Sequence, residues 1–265
     1  MSALQVAGSS LYYELYDAVG RPAAPTLVLL HGIGGNHASW YHQVAAWRGS
    51  HRVLVVDARG FGNSTDAEDA GRARFVDDLD AVLGAAGVDK AVLIAQSMSG
   101  ATAVSFTCRW PERVAALVLA DTLLGLTLDA EQNARMAALN EHNGRLTQIQ
   151  RVLGPTFANA NAAHAVLYTA IASFNRYNVR TLGGDGPRHA PADLAATKVP
   201  VLFIVGSEDV LFPPAEVKAV QQQVPGSSYV ELPASGHSAY FETPDAFNRE
   251  VLQWLARRGV IDSQA

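Results

Sequence analysis

Apolar residues in this chain fall into two patterns. Thr26 to Leu30, Arg52 to Val56, Val92 to Ala95, Val114 to Ala120 and Val199 to Val205 are short, nearly unbroken apolar runs rich in β-branched residues. Such runs read as strands buried on both faces. Tyr229 to Leu232 reads as one more strand, and Leu4 to Val6 with Leu11 to Tyr16 as a hairpin joined through Gly8-Ser9-Ser10. Between the runs the apolar period lengthens to that of a helix. Arg72 to Ala86 places Phe75, Val76, Leu79, Val82, Leu83 and Ala86 on one face, and Gly87 ends it. Trp40 to Trp47, Met98 to about Trp110, Ala215 to Gln223 and Pro244 to about Arg258 are further predicted helices, the last with Phe247, Val251, Leu252 and Leu255 inward. Gly20 to Pro25 is a predicted loop. Strand and helix alternate, which predicts an α/β fold: a mostly parallel sheet with helices on both faces.

The alternation stops at Thr122 and resumes only near Asp193. Helical stretches at Asp129 to Glu141, Arg145 to Leu153 and Ala160 to Asn175 are punctuated by Asn143-Gly144, Gly154-Pro155 and Gly183 to Pro187. The expected organisation is a core formed by residues 1–121 and 194–265, with 122–193 as a helical cap inserted after the sixth strand. The alternative is that these helices are simply part of the sheet's cover.

The 265 residues are long enough to bury a full core, and 49% of them are hydrophobic. No apolar run reaches the length of a membrane span, and the first residues lack the basic-then-apolar pattern of a signal peptide. A cytoplasmic location is therefore expected. The net charge of −5 and the absence of a Lys/Arg block argue against nucleic acid as a partner. The single cysteine, Cys108, excludes an internal disulfide and reads as a structural thiol rather than a nucleophile. No His-Glu-x-x-His motif or Cys/His cluster is present, so neither a metal nor another cofactor is expected.

The stretch Lys90 to Ala103 carries the chemistry. A buried strand ends at Ala95-Gln96, a helix starts near Met98, and Ser97 stands in the corner between them. A sharp strand-to-helix turn lifts the hydroxyl clear of the sheet and turns the following N–H groups toward a ligand. Such a corner needs small neighbours, here Ala95, Ser99 and Gly100. Ser99 is the competing nucleophile, but it would lie inside the helix.

This corner resembles the Gly-x-Ser-x-Gly nucleophile elbow of the α/β-hydrolase family, with Ala95 and Ser99 in place of both glycines. Other stretches extend the resemblance over residues 10 to 258. His31-Gly32-Ile33-Gly34-Gly35-Asn36 resembles the family's His-Gly loop, Asp57-Ala58-Arg59-Gly60-Phe61-Gly62-Asn63-Ser64 its Asp-x-Arg-Gly-x-Gly-x-Ser segment, and Gly206 to Asp209 and Gly236-His237-Ser238 its acid and base loops. The resemblance implies the α/β-hydrolase fold and a triad in the order Ser97, Asp209, His237, without a cofactor. It places the oxyanion-hole donors at the Ile33 and Met98 N–H groups. His31 and Asp57 read as loop-bracing residues. Asp121, after the strand Val114 to Ala120, is the rival for the acid.

Serine at the corner, rather than aspartate, argues against haloalkane dehalogenase and epoxide hydrolase chemistry. The expected reaction is cleavage of a small carboxylic ester or lactone through an acyl-enzyme. The alternatives are hydrolysis of a C–C bond in a vinylogous diketone, or a small-ligand receptor of the same fold that does not turn over. Candidate pocket residues are Gly32, Asn36, Leu124, Phe157, Tyr168, Phe174, Arg180, Phe212 and Tyr240, with Leu123 and Leu126 adding to an apolar acyl site. The expected partner is a small-molecule substrate, with neither nucleic acid nor membrane, on a monomer or homodimer.

Overall fold

The computed structural model describes residues 2–18 and 25–262, so the predicted loop at 20–25 lies almost wholly outside the described residues. The strands are β1 (Ser2–Val6), β2 (Ser9–Tyr16), β3 (Thr26–Leu30), β4 (Val53–Val56), β5 (Ala91–Gln96), β6 (Val114–Ala120), β7 (Val201–Gly206) and β8 (Ser228–Leu232). They form one sheet in the order β1-β2-β4-β3-β5-β6-β7-β8. β2 is antiparallel to both its neighbours, and the pairs from β4 to β8 are parallel. Ala7 and Gly8 (φ +44° and +72°) make the hairpin turn. Two successive positive φ angles suit the right-handed strand twist, which is why the turn sits one residue earlier than predicted.

The predicted buried strands are buried on both faces, and their side chains divide with period two. Val28, Leu30, Leu93, Ala95, Leu117, Leu119, Phe203 and Val205 point to one face. There they meet α2 (Phe75–Ala85), α3 (Ser99–Arg109), α8 (Pro191–Ala196) and α9 (Pro214–Gln221). Leu27, Leu29, Val92, Ile94, Val118, Leu202 and Ile204 point to the other. That face is covered by α1 (Tyr41–Trp47), α10 (Ala239–Glu242) and α11 (Pro244–Arg257). In α11, Phe247, Val251 and Leu255 are buried with Trp254, and Leu252 lies at the margin.

The insertion between β6 and β7 holds α4 (Ala130–Asn143), α5 (Gln148–Val152), α6 (Pro155–Ala160) and α7 (Ala162–Ala172) before α8. The sequence pattern did not give α6. Gly154-Pro155 looks like a break, but proline is well placed at the first position of a helix, where its missing N–H costs nothing. Residues 173–190 are not helical, and α8 packs on α3 through Leu194, so it belongs to the sheet's cover. Among the described residues no helix is long and apolar enough to cross a membrane.

The chain leaves β3 for β4 on one side, while β5 pairs on the other side of β3. This reversal opens a crevice at the carboxyl ends of β3 and β5, the place where open α/β sheets bind ligands. The His31 loop and the Ser97 corner both begin there.

Candidate active site

Ser97 sits at φ +49°, in the left-handed region that a side chain adopts only under tertiary constraint. Three hydrogen bonds hold it there. Its N–H donates to Ala120 O (3.0 Å), and its carbonyl accepts from the Gly100 N–H (2.9 Å) and the Thr122 hydroxyl (2.8 Å). Gly100 is required at this corner, because a Cβ on it would lie 2.7 Å from the Thr122 side chain.

The corner aims the Ser97 hydroxyl at His237. Ser97 Oγ lies 2.8 Å from His237 Nε2, and His237 Nδ1 lies 3.0 Å from Asp209 Oδ2. With the carboxylate on Nδ1, that nitrogen carries the proton and Nε2 accepts from the serine hydroxyl. Asp209 Oδ1 accepts from the N–H groups of Leu211 (2.8 Å) and Phe212 (3.0 Å), which fixes the carboxylate. The Phe212 ring stacks on the imidazole at 5.7 Å. All three members of this relay are buried.

Asp121 takes a different place. Its two oxygens accept from the Gly206 N–H (2.9 Å) and the Ala239 N–H (3.2 Å), so it ties the root of the Asp209 loop to the His237 loop. Burial and the nearby Asp209 charge push its carboxyl well above the usual range. Glu242 acts on the same loop. Its oxygens accept from the N–H groups of Gly154 (2.8 Å), Gly236 (2.9 Å) and Ser238 (3.0 Å). Gln96 completes the bracing, its Nε2 donating to His237 O at 2.7 Å. Sequence reasoning gave no such role to Gln96 or Glu242. A polar residue closing an apolar strand was the available signal for Gln96.

The His31 loop reaches the elbow from the other side. A Cβ on Gly32 would lie 3.0 Å from Ser97 Cβ, so the two segments are nearly in contact. His31 Nε2 accepts from the Ala58 N–H (3.0 Å) and its Nδ1 donates to Gly32 O (2.7 Å). Burial lowers its pKa, and the neutral ring serves as a brace. Ser99 Oγ donates to His31 O (2.5 Å), so it points away from His237. Asp57 lies apart from the relay and holds its own bend through the N–H groups of His37 (2.6 Å) and Asn63 (2.8 Å). Among the described residues, the Ile33 and Met98 N–H groups donate to no carbonyl or side chain.

Several candidate pocket residues are placed elsewhere. Tyr240 is fully buried with its ring 4.2 Å from Trp40, and Phe157 packs edge-on against Phe241. Phe174 is 75% exposed and faces outward. Asn36 is buried and braces the His31 loop, donating to Ile171 O and Asn175 Oδ1 and capping Ala38 N. Leu123 and Leu126 pack into the core, whereas Leu124 is 37% exposed. The expected apolar acyl site is thus not built from these side chains. Tyr168 does stand near the loop: its hydroxyl accepts from Ser238 Oγ (3.2 Å) and would meet a Cβ on Gly34 at 2.7 Å. A cleft of about 610 Å³ opens beside Ile33 and Gly34, lined also by Asn143, Arg151, Arg180 and Leu211. Cys108 is half-buried on α3, and burial pushes its thiol up to about 11.

Comparison with known proteins agrees with this architecture. RutD of Escherichia coli O81 (strain ED1a), a proposed carbamate hydrolase, is 27% identical over 249 residues, covering 88% of this chain and 92% of its own. A thermophilic esterase from Thermogutta terrifontis superposes with a TM-score of 0.78 at 26% identity, covering 97% of each chain. The enol-lactonase from Burkholderia xenovorans LB400 shares the fold, with a TM-score of 0.75 at 22% identity over 96% of this chain and 100% of its own. The sequence profile of the alpha/beta hydrolase fold matches residues 25–244. With that match spanning most of its length, and the eight-stranded, mostly parallel sheet beneath it, this chain belongs to the α/β-hydrolase family.

Proposed function

We propose that this chain is a serine hydrolase that cleaves a small carboxylic ester or lactone through an acyl-enzyme. The observation that carries the reading is the continuous relay from Ser97 Oγ through His237 to Asp209, with contacts of 2.8 and 3.0 Å. A free serine hydroxyl is a weak nucleophile. His237 Nε2 removes its proton as Oγ attacks the carbonyl carbon, then returns it to the leaving alkoxide. Asp209 holds the imidazole and stabilises the imidazolium. The Ile33 and Met98 N–H groups, free of internal acceptors, receive the developing oxyanion. A donor in such a hole contributes about 3–4 kcal/mol. Water, activated by the same His237, then releases the acyl group. In this reading residues 122–193 form a cap over the cleft, and substrate enters beside Ile33 and Gly34.

The likeness to the esterase supports an ester or lactone, and the likeness to RutD adds carbamates to the classes worth testing. Each is cleaved by attack on a carbonyl carbon through tetrahedral intermediates, so the relay serves each. The test is a panel of p-nitrophenyl esters, lactones, carbamates and vinylogous 1,5-diketones, run with the wild type and Ser97→Ala. The expected result is repeated turnover of a short ester or lactone by the wild type alone. Release of no more than one equivalent would assign the chain to a receptor role, and turnover of the diketone alone would assign it to C–C hydrolysis.

A further inference from the structure

We propose that Glu242 is a positioning residue that couples the helical insertion to the base of the relay. One buried carboxylate fixes Gly154 at the start of α6 and both flanks of His237. The inference rests on the serine-hydrolase reading for its kinetic arm, but not for its structural arm.

The three donors to Glu242 come from two segments far apart in sequence. Gly236 and Ser238 flank His237, and Gly154 lies 88 residues before Glu242. The two segments touch at this point. A Cβ on Gly236 would lie 2.2 Å from Gly154 N, and one on Gly154 would lie 2.7 Å from Gly236 N. Only glycine permits that approach. With no side chain between them, the carboxylate is the bridge that gives both backbones an acceptor. A second clamp lies beside it: Glu208 Oε2 accepts from the Thr156 N–H (3.0 Å), and Glu208 precedes Asp209. The start of α6 is therefore held by Glu242, which also holds both flanks of the base, and by Glu208, which precedes the acid. A movement of the insertion at Gly154 is transmitted to His237 through Glu242.

The remaining contacts on the base loop show why the coupling reaches the imidazole. His237 O is fixed by Gln96 and Ala239 N by Asp121. With Gly236 N and Ser238 N on Glu242, every residue from 236 to 239 has a buried partner. Removing the carboxylate frees two of these four and leaves Gly154 N without an acceptor. The titratable groups that face Glu242 are Asp209, Glu208, Asp121 and Tyr168 from other elements, with Tyr240 on its own helix and His237 next to its donors. Burial, opposed by the three N–H groups, pushes Glu242 up to about 7.

The experiment compares wild type, Glu242→Gln and Glu242→Asp by hydrogen exchange and by steady-state hydrolysis of a short p-nitrophenyl ester. The first readout is amide exchange in two peptides, one covering 150–157 and one covering 233–240. In Glu242→Gln both lose protection together, while peptides from β3 and α9 keep theirs. The second is kcat, which falls by between about tenfold and a hundredfold, as expected for a displaced catalytic group, with KM changed by less than about threefold. The third is the acid limb of log kcat/KM against pH, which becomes shallower in Glu242→Gln because one titrating group is gone. Glu242→Asp, which keeps the charge with a shorter reach, shows smaller changes in the first two readouts. It serves alone if Glu242→Gln does not fold. Loss of protection in only one peptide, or in neither, overturns the coupling whatever the activity. Unchanged kcat with both peptides deprotected overturns the positioning role. Absence of ester turnover in the wild type counts against the proposed function, and the exchange arm still decides the coupling.

Discussion

Gly32→Ala is a small change for which the structure gives a large effect. The added methyl would lie 1.9 Å from Gln96 Oε1 and 3.0 Å from both Gln96 Cδ and Ser97 Cβ. A separation of 1.9 Å is far inside contact distance, so the Gln96 amide has to rotate. That amide is 1% exposed and its Nε2 donates to His237 O at 2.7 Å. Rotation breaks this bond and leaves buried polar groups without partners. Overpacking a dense core costs about 1–3 kcal/mol. An orphaned buried hydrogen-bonding group adds about 1–3 kcal/mol. The expected loss of stability is therefore about 2–6 kcal/mol. In a chain of this size that lowers Tm by about 4 °C at the least.

The kinetic consequence follows from what Gln96 holds. With His237 O released, the imidazole loses one of its fixed supports, and kcat for a short ester falls between about tenfold and a hundredfold. Thermal unfolding and steady-state hydrolysis test this on the single variant. A double-mutant cycle with Gln96→Ala separates the causes. Gln96→Ala removes the nearer obstacle and the hydrogen bond, so Gly32→Ala added to it costs less than it does alone, with only the 3.0 Å approach to Ser97 Cβ remaining. Additive losses, or a Gly32→Ala protein with the wild-type Tm and kcat, would refute the reasoning.

Ser97→Ala abolishes ester turnover while leaving the circular dichroism spectrum and Tm close to wild type; Ser99→Ala loses only the brace on His31 O and keeps most activity. Asp209→Asn lowers kcat by roughly 10⁴, the size seen in a comparable triad. Asp121→Asn costs less, and a reversal of that order in a side-by-side assay would move the acid role. Glu242 titrates at about 7 in the folded chain against an ordinary 4.5. The folded state thus holds a proton that the unfolded state has released, and its contribution to stability is lost as pH rises from the lower value through the higher. Urea unfolding at pH 5 and pH 7.5 should show Glu242→Gln gaining on wild type by about 2 kcal/mol at the higher pH. An equal difference at both pH values would mean that the carboxyl is not raised.

The sheet was legible because its strands are continuous apolar runs, and each observed strand bound falls within two residues of the predicted one in β3 to β8. The elbow was legible because it is local: strand, corner and helix lie within one stretch of residues. The insertion was harder. A helix opened by proline reads as a break, and the segment after α7 is held by long-range contacts that leave no period in the sequence. Tyr177, for instance, hydrogen-bonds Asp66 and Asp69 and packs on Phe61. The pocket list fared worst, because aromatic character says nothing about direction. Tyr240 and Phe174 are both aromatic in sequence, yet one is sealed against Trp40 and the other faces outward. The role of Glu242 left no local signal, because it depends on a glycine 88 positions away.

The departures from glycine at the elbow now have a physical account. The two positions must be small, because the corner holds Ser97 at a positive φ while β5 turns directly into α3. Ala95 meets that requirement on the buried strand with no polar group to satisfy. Ser99 meets it and adds a function glycine cannot supply, a hydroxyl that reaches His31 O across the crevice. The same carbonyl belongs to the loop that carries the Ile33 N–H, so the hydrogen bond ties one of the two proposed oxyanion donors to α3, which begins directly after the other, Met98. In the proposed oxyanion hole, two donors fixed in this way need not reorganise as charge develops. Glycine at 99 would remove this tie between the loop and α3. The serine that weakens the motif in sequence therefore strengthens the arrangement that the motif exists to build.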